Sequence, residues 1–204
     1  MVKTLIAATQ KSIDKKTALK KLYENYALIE NHPFSDFNKN KIVPGVGNPD
    51  TPLLFLGEGP GADEDRVGEP FVGRAGQLLT KIIQAMGFER KDVFITNVVK
   101  CRLENNRAPL LEEIEYEKSA ILMKELKILA PKIICCLGAS AMTAMLGPDF
   151  KISQVRGQFI PHPTLNALII PTYHPAYLLR NPKAKVFVWE DMQSILKKIK
   201  SDQE

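Results

Sequence analysis

A glycine-rich segment that carries a carboxylate follows an apolar run in the first third of the chain. It reads Gly57-Glu58-Gly59-Pro60-Gly61 and comes directly after the run Leu53 to Leu56. Glycine lets a backbone approach a ligand closely, and a carboxylate at the carboxyl end of a buried strand can act on that ligand. We therefore interpret Glu58 as a functional residue, against the alternative that it caps the following helix.

A histidine in a proline-rich turn is the second residue whose setting suggests chemistry. His174 lies between Pro171 and Pro175 and follows another apolar run, Leu168 to Ile170. An imidazole and a carboxylate in one site can perform acid/base chemistry or stabilise developing charge. The alternative is a histidine that only completes a turn. The two other histidines lack a comparable setting, and we assign them no role.

The elements that must position these residues are four apolar β-type runs that alternate with helical patterns. The runs are Pro52 to Leu56, Asp92 to Asn97, Lys132 to Leu137 and Asn166 to Pro171. Helices are predicted near Ile13 to Ile29, Arg74 to Met86, Leu111 to Leu129, Ala139 to Leu146 and Phe187 to Ile199. This alternation predicts an α/β fold, a three-layer αβα sandwich with a central four-stranded parallel sheet.

Such a sheet has its functional loops at the carboxyl ends of its strands. Those ends carry Glu58, Asn97, the segment Gly138 to Ser140, and His174. We therefore expect all four to meet at one edge of the sheet. The expectation for His174 requires the fourth run to be parallel to the others.

Length and composition limit the domain count and the class of protein. The chain has 204 residues, of which 45% are hydrophobic, and no low-complexity tract divides it. We expect one domain over 1–204, with residues 1–50 as a helical and loop segment packed on it. The net charge of +5 favours a polyanionic partner such as nucleic acid. We find neither a signal peptide nor a membrane segment, which predicts a cytoplasmic protein.

The glycine segment formally satisfies the dinucleotide-binding fingerprint, but its surroundings argue against that function. A pyrophosphate needs a helix N-terminus without nearby negative charge, whereas Glu58, Asp63, Glu64 and Asp65 crowd this loop. The second strand ends in Asn97 and not in the acidic residue that would bind ribose. A P-loop is excluded because no Gly-Lys-Ser/Thr follows.

Four segments together resemble the family 4 uracil-DNA glycosylases. They are Gly-Glu-Gly-Pro-Gly…Gly-Glu-Pro-Phe-Val-Gly-Arg-Ala-Gly-Gln-Leu-Leu (57–79), Ile-Thr-Asn-Val-Val-Lys-Cys-Arg…Asn-Arg-Ala-Pro (95–109), Ala-Pro-Lys-Ile-Ile (130–134) and His-Pro-Ala-Tyr-Leu-Leu-Arg-Asn-Pro (174–182). The resemblance implies hydrolysis of the N-glycosidic bond of deoxyuridine in base-excision repair, which leaves an abasic site. The implied partner is uracil-containing DNA, bound by a monomer without an obligate protein partner.

The residues fit this chemistry, because a glycosylase extrudes its target nucleotide into a pocket. Phe71 can stack on the base, although a phenylalanine is also an ordinary core residue. The amide of Asn97 can pair with O4 and N3–H of uracil but mismatches cytosine; its alternative is a turn residue. The implied pocket also includes Gly59 and Glu64, where Glu64 would crowd the C5 position and reject thymine. The ordinary alternative for Glu64 is a solvated loop acid.

Two residues are the candidates for catalysis. Cleavage builds positive charge on the sugar and negative charge on the departing uracil, so the site needs an anion near the sugar and a donor near O2. We assign these roles to Glu58 and His174 respectively. Glu58 could also orient the attacking water.

The predicted DNA contacts are less specific than the pocket. Leu178 and Leu179 could wedge into the base stack, with core packing as the alternative. Ser140 lies at a predicted helix N-terminus that suits a phosphate oxygen. The basic candidates for the DNA backbone, each of which could equally be a surface residue, are Lys100, Arg102, Arg107, Arg156 and Arg180.

The chain departs from the family at the cysteines. Family 4 enzymes typically hold an iron-sulfur cluster with four cysteines, whereas the equivalent positions here are Tyr23, Tyr26, Cys101 and Glu117. One thiolate cannot hold such a cluster. We therefore predict a cluster-free protein without any cofactor, in which Tyr23 and Tyr26 fill the vacated space with ring packing and hydroxyl hydrogen bonds, with Glu117 as the candidate partner.

Two other functions remain as alternatives. One is an inactive member of the fold that binds DNA at uracil or abasic sites. The other is a hydrolase of small nucleosides or nucleotides, which would not need the segment Leu178 to Arg180. A related branch attaches covalently to DNA through a histidine in an inserted loop, but the segment Arg102 to Pro109 has neither insertion nor histidine.

Overall fold

A single sheet organises the part of the chain that the structure, a computed structural model, describes: residues 2–29, 32 and 42–202, with side chains from Ser12 onward. Its strands are β1 Val46–Gly47, β2 Leu53–Gly57, β3 Phe94–Asn97, β4 Ile133–Leu137, β5 Ile160–Pro161 and β6 Leu168–Thr172. The order across the sheet is β1-β3-β2-β4-β6-β5. The four central strands are parallel, as predicted, and each lies within two residues of its predicted bounds.

The two edge strands, β1 and β5, are antiparallel to their neighbours and were not predicted. The expectation of a four-stranded sheet was therefore incomplete. Each edge strand has two residues, and a segment of that length contains no alternation of apolar and polar residues that a sequence could display.

Helices of very different length surround the sheet. They are α1 Val2–Ala27, α2 Ala62–Val67, α3 Arg74–Ala85, α4 Leu111–Glu117, α5 Met123–Leu129, α6 Ala139–Leu146, α7 Ile152–Val155, α8 Pro175–Arg180 and α9 Lys185–Ser201. A π-helical turn, Lys118–Leu122, lies between α4 and α5 within the single helix that was predicted there. Helix α1 begins well before the predicted Ile13. Among the described helices, none is both long and apolar enough to cross a membrane.

The sheet is covered by helices on both faces, which confirms the three-layer prediction. Successive strand residues point to opposite faces, so Leu54 and Leu56 pack with helices α1, α4, α5 and α6. Leu53 and Phe55 pack on the other face with helices α3, α8 and α9. All residues of strand β2 are buried for this reason.

The carboxyl ends of the four parallel strands lie at one edge of the sheet. Strand β6 is parallel to β4, so His174 lies at the same edge as the loops after β2, β3 and β4. Beyond the regular ladder, Val98 N–H donates to the carbonyl of Gly57 at 3.0 Å, and Val99 N–H donates to that of Glu58 at 3.0 Å. These two bonds hold the glycine-rich loop and the Asn97 loop side by side.

Candidate active site

A cleft of about 270 Å³ lies at this edge of the sheet. The six residues predicted to bind a base all line it: Glu58, Gly59, Glu64, Phe71, Asn97 and His174. Val99, Leu103 and Pro109 add apolar walls that the sequence analysis missed. The cleft therefore combines apolar surface with a carboxylate, an amide and an imidazole, a composition typical of a site for a small planar ligand.

Phe71 is held in a conformation that few non-glycine residues adopt. Its φ is 56°, and such backbone strain in a folded protein is often found at functional sites. The guanidinium of Arg90 donates to the carbonyl of Pro70 at 2.8 Å and to that of Phe71 at 3.0 Å. Arg90 thus fixes the backbone that presents the ring. It was missed because its charged, turn-rich surroundings give no signal of an inward contact.

The Phe71 ring forms one wall of the cleft. Its centroid is 5.7 Å from that of the His174 ring, with 35° between the two planes. A Cβ atom on Gly57 would lie 2.4 Å from Cζ of Phe71. Glycine is required at the end of strand β2 because any side chain there would displace the ring.

Asn97 presents an acceptor that no other described residue uses. The residue is 2% exposed, and its Oδ1 atom is buried without a hydrogen-bond partner in the described part of the chain. Buried polar atoms are rarely left unpaired, because desolvation without a hydrogen bond is costly. Since Asn97 lines the cleft, a ligand with an N–H group would satisfy this oxygen.

Glu58 is half-buried, and its carboxylate accepts a hydrogen bond from the first turn of helix α6. Ser140 donates its hydroxyl hydrogen to Oε2 of Glu58 at 2.5 Å. Ser140 was predicted to bind a DNA phosphate, but its hydroxyl hydrogen points to Glu58 instead. The first turn of helix α6, which follows strand β4, thus orients the carboxylate that follows strand β2.

His174 is the N-cap of helix α8, and this role fixes the position of its proton. Its Nδ1 accepts a hydrogen bond from the amide of Ala176 at 3.1 Å, so the neutral ring carries its proton on Nε2. Burial, assisted by the charge of Arg180 and partly opposed by that of Glu64, lowers the pKa of His174 to about 4. The imidazole is therefore a neutral hydrogen-bond donor at neutral pH.

Glu64 lines the cleft, but its carboxylate also holds two loops together. Oε1 accepts from the amides of Val72 at 2.9 Å and Gly73 at 2.8 Å. Oε2 accepts from the amide of Gly61 at 3.1 Å. These contacts tie the glycine-rich loop to the Phe71 loop, which is a structural role that the sequence did not reveal.

Two of the residues predicted to contact DNA cannot do so. Leu178 is 1% exposed and packs in the core, so its prediction as a wedge was wrong. Lys100 is 0% exposed, and its ammonium lies 2.6 Å from a carboxylate oxygen of Glu125. Its prediction as a phosphate contact was also wrong, because a charge pattern does not reveal that a side chain turns inward.

The remaining DNA candidates differ in accessibility. Arg180 is exposed and Leu179 is 38% exposed. Arg107 lines the cleft and pairs with Glu113 at 2.7 Å. Arg156 lies outside the cleft, where its guanidinium is 2.7 Å from Asp191. Since Asp191 accepts from Thr172 at 2.6 Å, Arg156 supports the strand that leads to His174.

The four residues that the sequence analysis assigned to the family's cluster positions do not form a metal site. Tyr26 donates its hydroxyl to Glu117 at 2.7 and 2.8 Å, as predicted. Tyr23 bonds to Glu125 and not to Glu117. Cys101 is buried, and burial, with a smaller effect of Glu117, raises its pKa to about 12. His32, to which we assigned no role, lies 3.0 Å from Glu117.

These residues do not fit an iron-sulfur cluster. Such a cluster needs several thiolates, whereas only one of these four residues, Cys101, is a cysteine. The raised pKa of Cys101 favours its protonated form. The Glu117 carboxylate is already occupied by a hydroxyl and an imidazole. Within the described ranges, no group of three or more His, Cys, Asp or Glu side chains is arranged to hold a metal ion.

A family model and several relatives point to the same family. The sequence model of the "Uracil DNA glycosylase superfamily" matches residues 44–193. The chain is 43% identical to the "Type-4 uracil-DNA glycosylase" of Thermotoga maritima, over 81% of this chain and 86% of that protein. It is 41% identical to the protein of the same name from Archaeoglobus fulgidus, over 79% of this chain and 81% of that protein. For the one from Sulfurisphaera tokodaii the identity is 40%, over 87% and 83% respectively.

Proposed function

This chain belongs to the uracil DNA glycosylase superfamily, and we propose that its cleft hydrolyses the N-glycosidic bond of deoxyuridine in DNA. The products are free uracil and an abasic site, which makes the protein a uracil-DNA glycosylase of base-excision repair. The observation that carries the proposal is the unpaired, buried Oδ1 of Asn97, a residue that lines the cleft together with Glu58 and His174.

Recognition of the base begins with extrusion of the nucleotide from the DNA stack into the cleft. The ring of uracil stacks on Phe71. Oδ1 of Asn97 accepts the N3–H of uracil, and the amide nitrogen donates to O4. Cytosine has an acceptor at N3 and a donor at C4, so the same amide would face two mismatched groups.

Cleavage of the bond needs charge stabilisation on both sides of it. The C1′–N1 bond breaks with its electron pair moving to uracil, and the oxygen of a water molecule forms a bond to C1′ in its place. The proton that this water loses ends on uracil, which leaves as the neutral base. The Nε2–H of His174 donates to O2 of the departing uracil, where negative charge develops. The carboxylate of Glu58 offsets the positive charge on the sugar and orients the water. Ser140 keeps that carboxylate in place through its 2.5 Å hydrogen bond.

The proposed DNA surface consists of residues that follow His174 in the chain and of residues at the rim of the cleft. Leu179 and Arg180 are exposed on helix α8, where the leucine replaces the extruded nucleotide in the stack and the arginine contacts a phosphate. Arg107 at the rim supplies a second basic contact. The active form in this proposal is the monomer.

The uracil release assay tests this function. We expect the protein, incubated with an oligonucleotide that contains one uracil and then treated with alkali, to cause strand scission at that position. The control is the same sequence with thymine, which should remain intact. Intact uracil strands at high protein concentration would support the alternative of an inactive DNA-binding member, which no observation favours.

We also propose that the protein works without an iron-sulfur cluster. The buried tyrosines and the protonated Cys101 occupy the space in which the family's thiolates would lie. Protein purified without oxygen is expected to contain less than about 0.1 iron per chain and no visible charge-transfer absorbance. The matched control is the triple variant Tyr23→Cys/Tyr26→Cys/Glu117→Cys, which should gain iron on reconstitution. Stoichiometric iron and sulfide in the unaltered protein would overturn the proposal.

A further inference from the structure

Lys100 is a buried cation directly behind the cleft. Its side chain is 0% exposed, and its ammonium donates three hydrogen bonds. These run to the backbone carbonyl of Asn97 at 2.7 Å, to Oγ1 of Thr96 at 2.7 Å and to Oε2 of Glu125 at 2.6 Å. All three N–H donors of the ammonium are therefore used inside the protein.

A buried ion pair is weak evidence for stability, because desolvation of two charges offsets most of their attraction. Apolar residues of similar volume would fill the same space at lower cost. The buried ammonium of Lys100 is therefore better explained by the position in which it holds its hydrogen-bond partners than by stability. Lys100 is the residue whose ammonium contacts the backbone of Asn97.

The contact lies where the sheet no longer supports Asn97 on one side. Strand β2 holds the following residues through the amides of Val98 and Val99. Strand β1, on the other side of β3, pairs only as far as Ile95. The ammonium of Lys100 supplies the hydrogen bond to the Asn97 carbonyl beyond that point, in place of a neighbouring strand.

The position of Lys100 is in turn fixed from helix α1. Oε1 of Glu125 accepts the hydroxyl of Thr96 at 3.0 Å, and the same oxygen accepts the hydroxyl of Tyr23. Tyr23 also accepts a hydrogen bond from the amide of Gly45 at 2.9 Å. Helix α1 is thus connected, through Tyr23, Glu125 and Lys100, to the backbone of Asn97.

We infer that the Lys100 network, defined as Lys100, Thr96, Glu125 and Tyr23, positions Asn97 for uracil. This inference rests on the proposed function. Its members touch no substrate and act through the backbone that carries the amide. The Asn97 side chain has little room to move towards strand β2, because a Cβ on Gly57 would already lie 2.3 Å from its Oδ1 atom. A shift of about 1 Å in a positioning group can cost about 100-fold in rate.

The first test removes the charge and keeps the volume, with the double variant Lys100→Met/Glu125→Gln. The glutamine oxygen can still accept from Tyr23 and Thr96, whereas the hydrogen bonds that the ammonium donates to the Asn97 carbonyl and to Thr96 are lost. We expect the inhibition constant of free uracil to rise by about 10-fold or more and the single-turnover rate to fall by about 100-fold. Affinity for DNA with an abasic site should stay within about 3-fold, since that ligand has no base for Asn97 to bind.

The second test compares Tyr23→Phe with Tyr26→Phe. Both variants remove one buried hydroxyl from helix α1, but only Tyr23 contacts Glu125. We expect Tyr23→Phe to raise the inhibition constant of uracil by about 3-fold or more, and Tyr26→Phe to leave it unchanged at similar melting temperatures. This pair decides the question if the double variant does not fold.

The outcomes separate this inference from the proposed function. Wild-type protein that releases no uracil would overturn both. Wild-type activity together with an unchanged uracil inhibition constant in folded Lys100→Met/Glu125→Gln and in Tyr23→Phe would overturn the inference alone. An equal loss of affinity for uracil and for abasic DNA would also overturn it, because a merely structural role would affect both ligands.

Discussion

Replacement of Glu58 by glutamine is expected to lower the single-turnover rate of uracil release by roughly 10²–10⁴-fold, the usual range for loss of a general acid or base. The variant keeps the shape of the side chain and can still accept the hydrogen bond of Ser140. It loses the negative charge that offsets the positive sugar and orients the water. The rate should be measured with protein in excess over a uracil-containing oligonucleotide, so that product release does not enter.

DNA affinity distinguishes a catalytic effect from a structural one. Binding of Glu58→Gln to the same DNA should stay within about 3-fold of wild type, because the interaction is made mainly in the transition state. The matched control is Glu112→Gln, an exposed carboxylate on helix α4, which should retain the wild-type rate. A Glu58→Gln variant with the wild-type rate, or one that loses binding as much as rate, would contradict the role assigned to Glu58.

Replacement of His174 by alanine is expected to lower the single-turnover rate by roughly 10²–10³-fold, as does the removal of one donor to a developing anion. The affinity for uracil-containing DNA should change far less. The matched control is His162→Ala, since His162 is also buried but accepts from loop amides outside the cleft. Comparable losses in the two variants would mean that the effect of His174→Ala arises from folding.

The pH dependence tests the protonation state of His174. Burial holds its pKa near 4, below the ordinary value of about 6.5, so the ring stays neutral as the pH falls from 8 to about 5. We expect the ring resonances of His174 to show no titration over that range in NMR spectra, with the signal assigned by its absence in His174→Ala. A titration midpoint of His174 between pH 6 and 7 would contradict this expectation, because the imidazole would then be charged at mildly acidic pH.

The sequence predicted the fold well where its elements are long. The four central strands are mainly apolar because helices cover both faces of the sheet, and runs such as Ile133–Leu137 are therefore easy to recognise. The edge strand Val46–Gly47 and the short helix Ile152–Val155 were missed, because two to four residues carry no periodic signal. Their formation depends on neighbours that only the folded chain supplies.

The sequence located the site for a topological reason. Residues that follow parallel strands meet at one edge whatever their separation along the chain, so Glu58, Asn97 and His174 were predicted to converge. The direction of single side chains could not be predicted in the same way. Lys100 and Leu178 turn inward, and Arg90 reaches across to the Phe71 backbone. Each of these depends on packing between elements and not on local pattern.

The most direct measurement for the central claim, that this cleft binds uracil, is a crystal structure of the protein with the free base. The account predicts uracil stacked on Phe71, with N3–H directed at Oδ1 of Asn97 and O2 directed at Nε2 of His174. Uracil bound elsewhere, or a cleft whose Asn97 amide faces away from the base, would contradict it.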